Sequence, residues 1–105
     1  MRERQPCVYI LASGFYSTLY VGVTSTLVGR VMQHREVRFG GFTTEYAVTR
    51  VAWYATADTI DDAIAPEKRI TRWRRDWKIE LIERDNPRWD DLATGLGLPP
   101  VRESR

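Results

Sequence analysis

The sequence predicts a mixed α+β domain, and three observations carry that prediction. Cys7-Val8-Tyr9-Ile10-Leu11-Ala12 and Leu19-Tyr20-Val21-Gly22-Val23-Thr24 read as strands joined by a turn beginning at Ser13-Gly14, the pattern of an antiparallel hairpin. Arg50-Val51-Ala52-Trp53-Tyr54-Ala55, rich in β-branched and aromatic residues, reads as a third strand. The segments between and after these strands repeat their apolar residues at helical spacing.

The second strand feeds straight into a helix. Leu19, Val21 and Val23 alternate with Tyr20, Gly22 and Thr24, so this strand has two different faces. Ser25 is placed to cap a helix from about residue 26 to residue 37. At about 100° per residue, Leu27, Val28, Val31 and Met32 share its apolar side. Arg30 and His34 are one turn apart and stack at the edge of that side, so Tyr20, Arg30 and His34 can converge on one surface. Gly29 inside the helix costs roughly 1 kcal/mol relative to alanine, which either reflects a close backbone approach or is simply tolerated.

Phe39-Gly40-Gly41-Phe42-Thr43-Thr44-Glu45-Tyr46 reads as a flexible aromatic loop. Asp58-Thr59 can cap a second helix from Ile60, with Asp61 and Asp62 in its first turn. Ile60, Ala63, Ile64 and Ile70 fall on one side of it, and Glu67 projects close to the middle of that side. A carboxylate there needs a cation, a metal or a hydrogen-bond donor; a salt bridge to Arg30 and a metal ligand both meet that need. Pro66 predicts a kink, or a break after Ile64. Helix continues through Trp73-Arg74-Arg75-Asp76-Trp77 to Ile82 after a bend near Trp73, with Trp73, Trp77 and Leu81 spaced as a core-facing stripe. Asn86-Pro87 ends it, and Arg88-Trp89-Asp90-Asp91-Leu92 reads as one more helical turn packing Trp89. Residues 1–94 are expected to form one domain and 95–105 a flexible tail.

With 105 residues, 43% hydrophobic and 29% charged, the chain has the balance of a single globular domain. No apolar run approaches the roughly 20 residues needed to cross a bilayer, and Met1-Arg2-Glu3-Arg4-Gln5-Pro6 has no apolar signal region. Cys7, the lone cysteine, has no internal disulfide partner, so a reduced cytoplasmic setting is expected. The net charge of +2 names no partner. Its distribution is more telling, because Lys68, Arg69, Arg72, Arg74, Arg75 and Lys78 follow the acids Asp58, Asp61 and Asp62. Such a cluster can neutralise phosphates, or serve only as a solvated helix face.

One histidine and one cysteine leave no zinc ligand set. There is no phosphate-binding loop and no dinucleotide fingerprint, and Cys7 lacks the surroundings of an activated nucleophile. Tyr, Arg, His and Glu remain: a phenol, a fixed cation, a proton acceptor and a hard-metal ligand. These are the components of metal-assisted phosphodiester cleavage. Taken singly, each has a plain structural role, as strand aromatic, salt-bridge partner or polar helix residue.

Taken together, they resemble the GIY-YIG nuclease family, in particular its small stand-alone bacterial members. Cys7-Val8-Tyr9 matches the first motif, with Cys7 standing at the family's glycine, and Tyr20-Val21-Gly22 matches the second. Thr24, Leu27, Arg30 and His34 follow at the family spacing. Ala63-Ile64-Ala65-Pro66-Glu67-Lys68-Arg69-Ile70, Trp73-Arg74-Arg75-Asp76-Trp77-Lys78 and Asn86-Pro87-Arg88-Trp89 complete a match over about Pro6 to Leu92.

The resemblance implies a three-stranded antiparallel sheet flanked by helices and a metal-dependent endonuclease acting on DNA, with repair or recombination as its setting. It implies one Mg²⁺ or Mn²⁺ ion on Glu67, with Tyr9, Tyr20, Arg30 and His34 catalytic. Tyr20 would help activate water, Tyr9 would orient water or a phosphate oxygen, Arg30 would stabilise phosphoryl charge, and His34 would hydrogen-bond Tyr20 or the phosphate. Lys68, Arg72, Arg74, Arg75 and Lys78 would contact the nucleic acid. Two other readings keep the same fold: a catalytically weak or inactive nucleic-acid-binding module, and a protein–protein adaptor using the Trp and Arg helix.

Overall fold

Strand β1 (Cys7–Ala12) is buried at all six positions because it is covered on both faces and paired on both edges. β2 (Leu19–Thr24) and β3 (Arg50–Thr56) flank it, each antiparallel to it, in the order β2-β1-β3. This computed structural model describes residues 5–13, 18–35 and 50–96; for residues 32–35 and 96 it describes the backbone alone. The expected loop from Phe39 to Tyr46 and most of the expected tail lie outside the described residues.

Both expected strands of the hairpin form with their predicted bounds. Ser13 closes them: its amide donates to the Thr18 carbonyl at 3.1 Å, and its Oγ accepts from the Thr18 amide at 3.2 Å. Between β1 and β3 the register slips, with Ile10 facing Trp53 but Leu11 facing Val51. Ala52 is thus the extra residue of a bulge, and its carbonyl accepts from Asn86 Nδ2 at 2.9 Å.

Alternation along β1 sends its side chains into two clusters. Cys7, Tyr9 and Leu11 pack with Val51, Ala93, and Leu27 and Val31 of α1 (Leu27–Arg35). Val8, Ile10 and Ala12 pack with Trp53, Trp89, Ile70 of α2 (Ile60–Arg72), and Leu81 and Ile82 of α3 (Arg75–Asp85). Each large apolar side chain so buried contributes about 1.5–3 kcal/mol, so the fold depends most on the middle strand. Three layers result, with α1 on one side of the sheet and α2 and α3 on the other.

Several helix boundaries differ from expectation. The carbonyl that accepts the first α1 bond belongs to Thr26, from the Arg30 amide at 3.0 Å, so the cap lies at Thr26 and not Ser25. Thr24 Oγ1 accepts from the Thr26 amide at 3.1 Å, which turns the chain out of β2. Val28, expected on the apolar side, is 39% exposed.

Thr59 caps α2 as expected, its hydroxyl accepting from the Asp62 amide at 3.1 Å, and Asp61 and Asp62 occupy the first turn. No break occurs at Pro66, which lies inside a continuous helix. The carbonyl it leaves without a helical donor belongs to Asp62, an exposed residue in the first turn. The bend expected near Trp73 does form, as a break at Trp73 and Arg74, both extended, before α3 begins.

No helical turn forms at Arg88 to Asp91. Trp89 is buried as expected but at φ 57°, and a 3₁₀ turn begins only at Leu92 and runs to Leu96, across the expected domain end at residue 94. This C-terminal segment covers the outer edge of β3. Asp91 Oδ1 accepts from the Val51 and Ala93 amides, each at 3.1 Å, and Asn86 Nδ2 also donates to the Asp90 carbonyl at 2.9 Å. An edge strand finished in this way is protected from pairing with another chain. Among the described residues no helix is long and apolar enough to cross a membrane.

Candidate active site

Tyr9 sits at the centre of β1 with its side chain on the α1 side of the sheet. It lies opposite Gly22 on β2 and Tyr54 on β3, and is 1% exposed. Gly22 is the reason the phenol fits. A Cβ built there would lie 2.5 Å from Tyr9 Oη and 2.6 Å from Cζ, so the ring rests across the space a side chain would fill. The glycine of the second motif is therefore a seat for the tyrosine of the first.

Tyr20 is two positions earlier on β2 and projects from the same face. Its ring centroid is 6.5 Å from that of Tyr9, with planes 28° apart. Tyr20 is half-buried, so the pair runs from the core toward the surface. Tyr54 packs against the same cluster from β3, half-buried. Its strand is legible in the sequence, but its face depends on the bulge at Ala52, which no local pattern announces.

Burial pushes the Tyr9 hydroxyl well above the ordinary phenol range, and neighbouring Tyr20, Cys7 and Glu67 add to the rise while Arg30 opposes it. Two conclusions follow. Tyr9 is held toward its neutral, hydrogen-bond-donating form. Arg30 of α1 and Glu67 of α2, from opposite sides of the sheet, both lie within electrostatic reach of its hydroxyl. Burial likewise pushes the Cys7 thiol up to about 11, which leaves it protonated and unreactive.

Arg30 is exposed, and its charge acts on the Tyr9 hydroxyl. His34 lies one turn further along α1, and its side chain falls outside the described residues. Glu67 is half-buried on α2, flanking the strip of Ala63 and Ile70 that faces the sheet. It forms no ion pair with Arg30 among the described residues. Thr71 Oγ1 donates to the Glu67 carbonyl at 2.7 Å and approaches Glu67 Oε2 at 3.2 Å. One hydroxyl proton serves both, mainly the nearer carbonyl, so the carboxylate keeps most of its acceptor capacity.

No group of three or more His, Cys, Asp or Glu side chains that could enclose a metal occurs among the described residues. Mg²⁺ and Mn²⁺ do not require one, since one or two carboxylates with waters and substrate phosphates complete their shells. A lone accessible carboxylate beside phenols and a guanidinium fits that chemistry.

The basic residues differ in exposure and engagement. Lys68 and Arg72 are exposed on α2, and Arg75 is exposed at the start of α3. Arg74 lies over the Trp77 ring, its Cζ 5.1 Å from the centroid, with its Nε 3.5 Å from Asp76 Oδ1. Lys78 is half-buried. Trp77 departs from the core-facing stripe expected for it: Leu81 is buried and Trp73 half-buried, but Trp77 is 47% exposed.

No curated protein and no solved structure matches this chain. A family model described as the GIY-YIG catalytic domain matches residues 5–80, a span that takes in all three strands, α1, α2, and the tyrosines, Arg30 and Glu67 gathered around them. The chain belongs to the GIY-YIG family.

Proposed function

We propose that this member of the nuclease superfamily is an endonuclease that hydrolyses DNA phosphodiester bonds with one Mg²⁺ or Mn²⁺ ion. GIY-YIG nucleases generally use divalent metals. What supports the reading is the stacked pair of a buried and a half-buried phenol, together with an exposed Arg30 and a Glu67 carboxylate with spare acceptor capacity, both of which act electrostatically on the Tyr9 hydroxyl.

Each residue then has a task set by its surroundings. Tyr9, fixed over Gly22 and held toward its neutral form by burial, donates a hydrogen bond that orients water or a phosphate oxygen. Tyr20, at the open end of the pair, helps to activate the attacking water. Arg30 balances the negative charge that grows on the phosphoryl oxygens, the largest contribution such sites make. His34 hydrogen-bonds Tyr20 or the phosphate. Glu67 holds the metal, which supplies Lewis-acid stabilisation of the phosphoryl group. Lys68, Arg72, Arg74, Arg75 and Lys78 serve the nucleic-acid backbone, with Arg74 and Lys78 the weaker contributors because one is engaged by Trp77 and Asp76 and the other is half-covered. A cytoplasmic role in repair or recombination suits this chemistry.

The test is nicking of supercoiled plasmid and branched DNA with Mg²⁺ or Mn²⁺, comparing wild type with Glu67→Gln. Cleavage should fall at least about a hundredfold in the variant, while folding and salt-sensitive DNA binding persist. Equal cleavage by both would refute the assignment of Glu67. Absence of cleavage by either would leave a DNA-binding module of the same fold.

A further inference from the structure

The outward face of α3 carries a feature that phosphodiester cleavage does not use. Trp73 meets the exposed Trp77 edge-on, with centroids 6.0 Å apart and planes at 80°. With Leu81 they line a groove of about 560 Å³ whose other walls are Glu80, Glu83 and Arg84. An adjoining hollow adds Asp76 and Ile79. A single exposed apolar side chain needs no explanation, but a concave group of two tryptophans and a leucine with a polar rim marks a recognition surface.

The rim decides what it recognises. Asp76 and Glu80 are exposed carboxylates, and Glu83 accepts from Trp89 Nε1 at 2.7 Å while still lining the groove. Arg84 is the cation among the groove's lining residues. Bases could stack on Trp77, and Arg74 beside it could meet a phosphate, but a strand lying along the groove itself would meet the carboxylates at 76, 80 and 83. A cationic side chain meets them favourably, and Arg74 displays the geometry, with its guanidinium over the Trp77 ring and beside Asp76. The side chains of Arg74 and Asp76 are 70% and 71% exposed, and surface ion pairs of this kind are weak, so an incoming guanidinium can displace Arg74.

The groove is also separate from the tyrosines. Trp73 packs on the cluster beneath α2 and α3, whereas Tyr9 belongs to the cluster beneath α1. Leu81, Glu83 and Arg84 lie past residue 80, where the match to the catalytic domain ends. We propose that the Trp73–Trp77 groove of α3 docks a protein partner through a segment presenting an arginine or lysine beside apolar side chains. The tyrosine pair lies on the other face of the sheet from this groove.

The test follows tryptophan indole N–H resonances by NMR as peptides are added to the full chain. One capped peptide carries Leu-Arg-Leu within a Ser/Gly sequence, a second carries Leu-Glu-Leu, and a short oligothymidylate represents nucleic acid. The arginine peptide should shift Trp77 and Trp73 while leaving Trp53, which is bonded to Asp85, in place. Trp77→Ala should weaken binding about tenfold or more, and Glu80→Lys about three- to fivefold. Both positions are exposed, so both variants should fold, and Glu80→Lys alone decides the matter if Trp77→Ala does not. Equal binding of the glutamate peptide, a shift of Trp77 by oligothymidylate as large as that by the arginine peptide, or no shift with any probe would each overturn the proposal.

Discussion

The two faces of the central sheet are finished by different means. Beneath α1 the covering is chemical: Cys7, Tyr9 and Tyr20 place ionisable groups among aliphatic side chains, and the packing is arranged around one phenol. Beneath α2 and α3 the buried cluster contains, among the described residues, no titratable side chain, and the indoles of Trp53 and Trp89 pass their N–H groups out to Asp85 and Glu83. One face gives up stability to hold polar groups in place, and the other gains it by burying tryptophan. On the proposed function, the face beneath α1 would bring the two tyrosines and Arg30 to the reaction, and α2 on the other face would supply Glu67.

The largest effect should come from breaking the chemical face without disturbing the fold. Tyr9→Phe removes only the hydroxyl, so cleavage should fall about a hundredfold or more while unfolding free energy changes by no more than about 1–3 kcal/mol. Plasmid nicking and urea denaturation on the same preparation would separate the two. A variant that cleaves normally would return Tyr9 to the status of a core residue. Gly22→Ala should disturb the same ring from the opposite strand, since its Cβ would lie 2.5 Å from the phenol oxygen.

The tryptophan face is tested next. Trp89 is 2% exposed, and Trp89→Ala should destabilise by about 3–5 kcal/mol. Trp77→Ala removes the same atoms from a 47% exposed position and should cost about 1 kcal/mol or less, mainly its edge contact with Trp73. Equal losses in thermal or urea unfolding would mean that the outer face of α3 supports the core, as its spacing alone suggests.

That spacing shows where the sequence stops being a guide. Strand alternation and cap residues are local, so β1, β2 and the Thr59 cap are legible directly in the chain. Tyr9, Tyr20, Arg30 and Glu67 are likewise legible as motif residues. Trp73, Trp77 and Leu81 fit a continuous helical stripe, but the chain leaves the helix at Trp73 and Arg74, which resets the helical phase for α3. No proline or glycine marks that break. Pro66, which does look like a break, is absorbed where the carbonyl it orphans belongs to the exposed Asp62. The bulge at Ala52 is met by Asn86, thirty-odd residues away, and so lies beyond any local pattern, while the left-handed Trp89 bonds to Asn86 three residues before it.

Alkaline pH should discriminate between the faces more gently. In the unfolded chain the Cys7 thiol gives up its proton around 9.0, whereas burial holds it to about 11 in the native state. Between those values the unfolded state binds fewer protons, so stability falls as pH rises. Cys7 alone accounts for about 2–3 kcal/mol lost across that window, and the Tyr9 phenol extends the decline to higher pH. Cys7→Ala should flatten the first part of the curve in urea titrations at stepped pH. A curve unchanged by that substitution would place the loss elsewhere.

The smallest expected effect compares two glycines that the sequence alone does not distinguish. Gly22 is held by a ring at 2.5 Å, but a Cβ at Gly29 would meet, among the described residues, only Thr26 Oγ1 at 3.7 Å and Thr26 Cβ at 3.9 Å. Those are ordinary contacts, and Gly29 lies within α1. Nothing there calls for a glycine, while the unfolded chain keeps the conformational freedom that glycine confers. Gly29→Ala should therefore raise stability by about 1 kcal/mol in urea unfolding and leave cleavage near wild type. A loss of stability would mean that a neighbour of α1 approaches its backbone at Gly29. A gain in stability with a loss of cleavage would mean that α1, which carries Arg30 and His34, must yield during the reaction, and that the rigidity of the tyrosine pair does not extend to the helix above it.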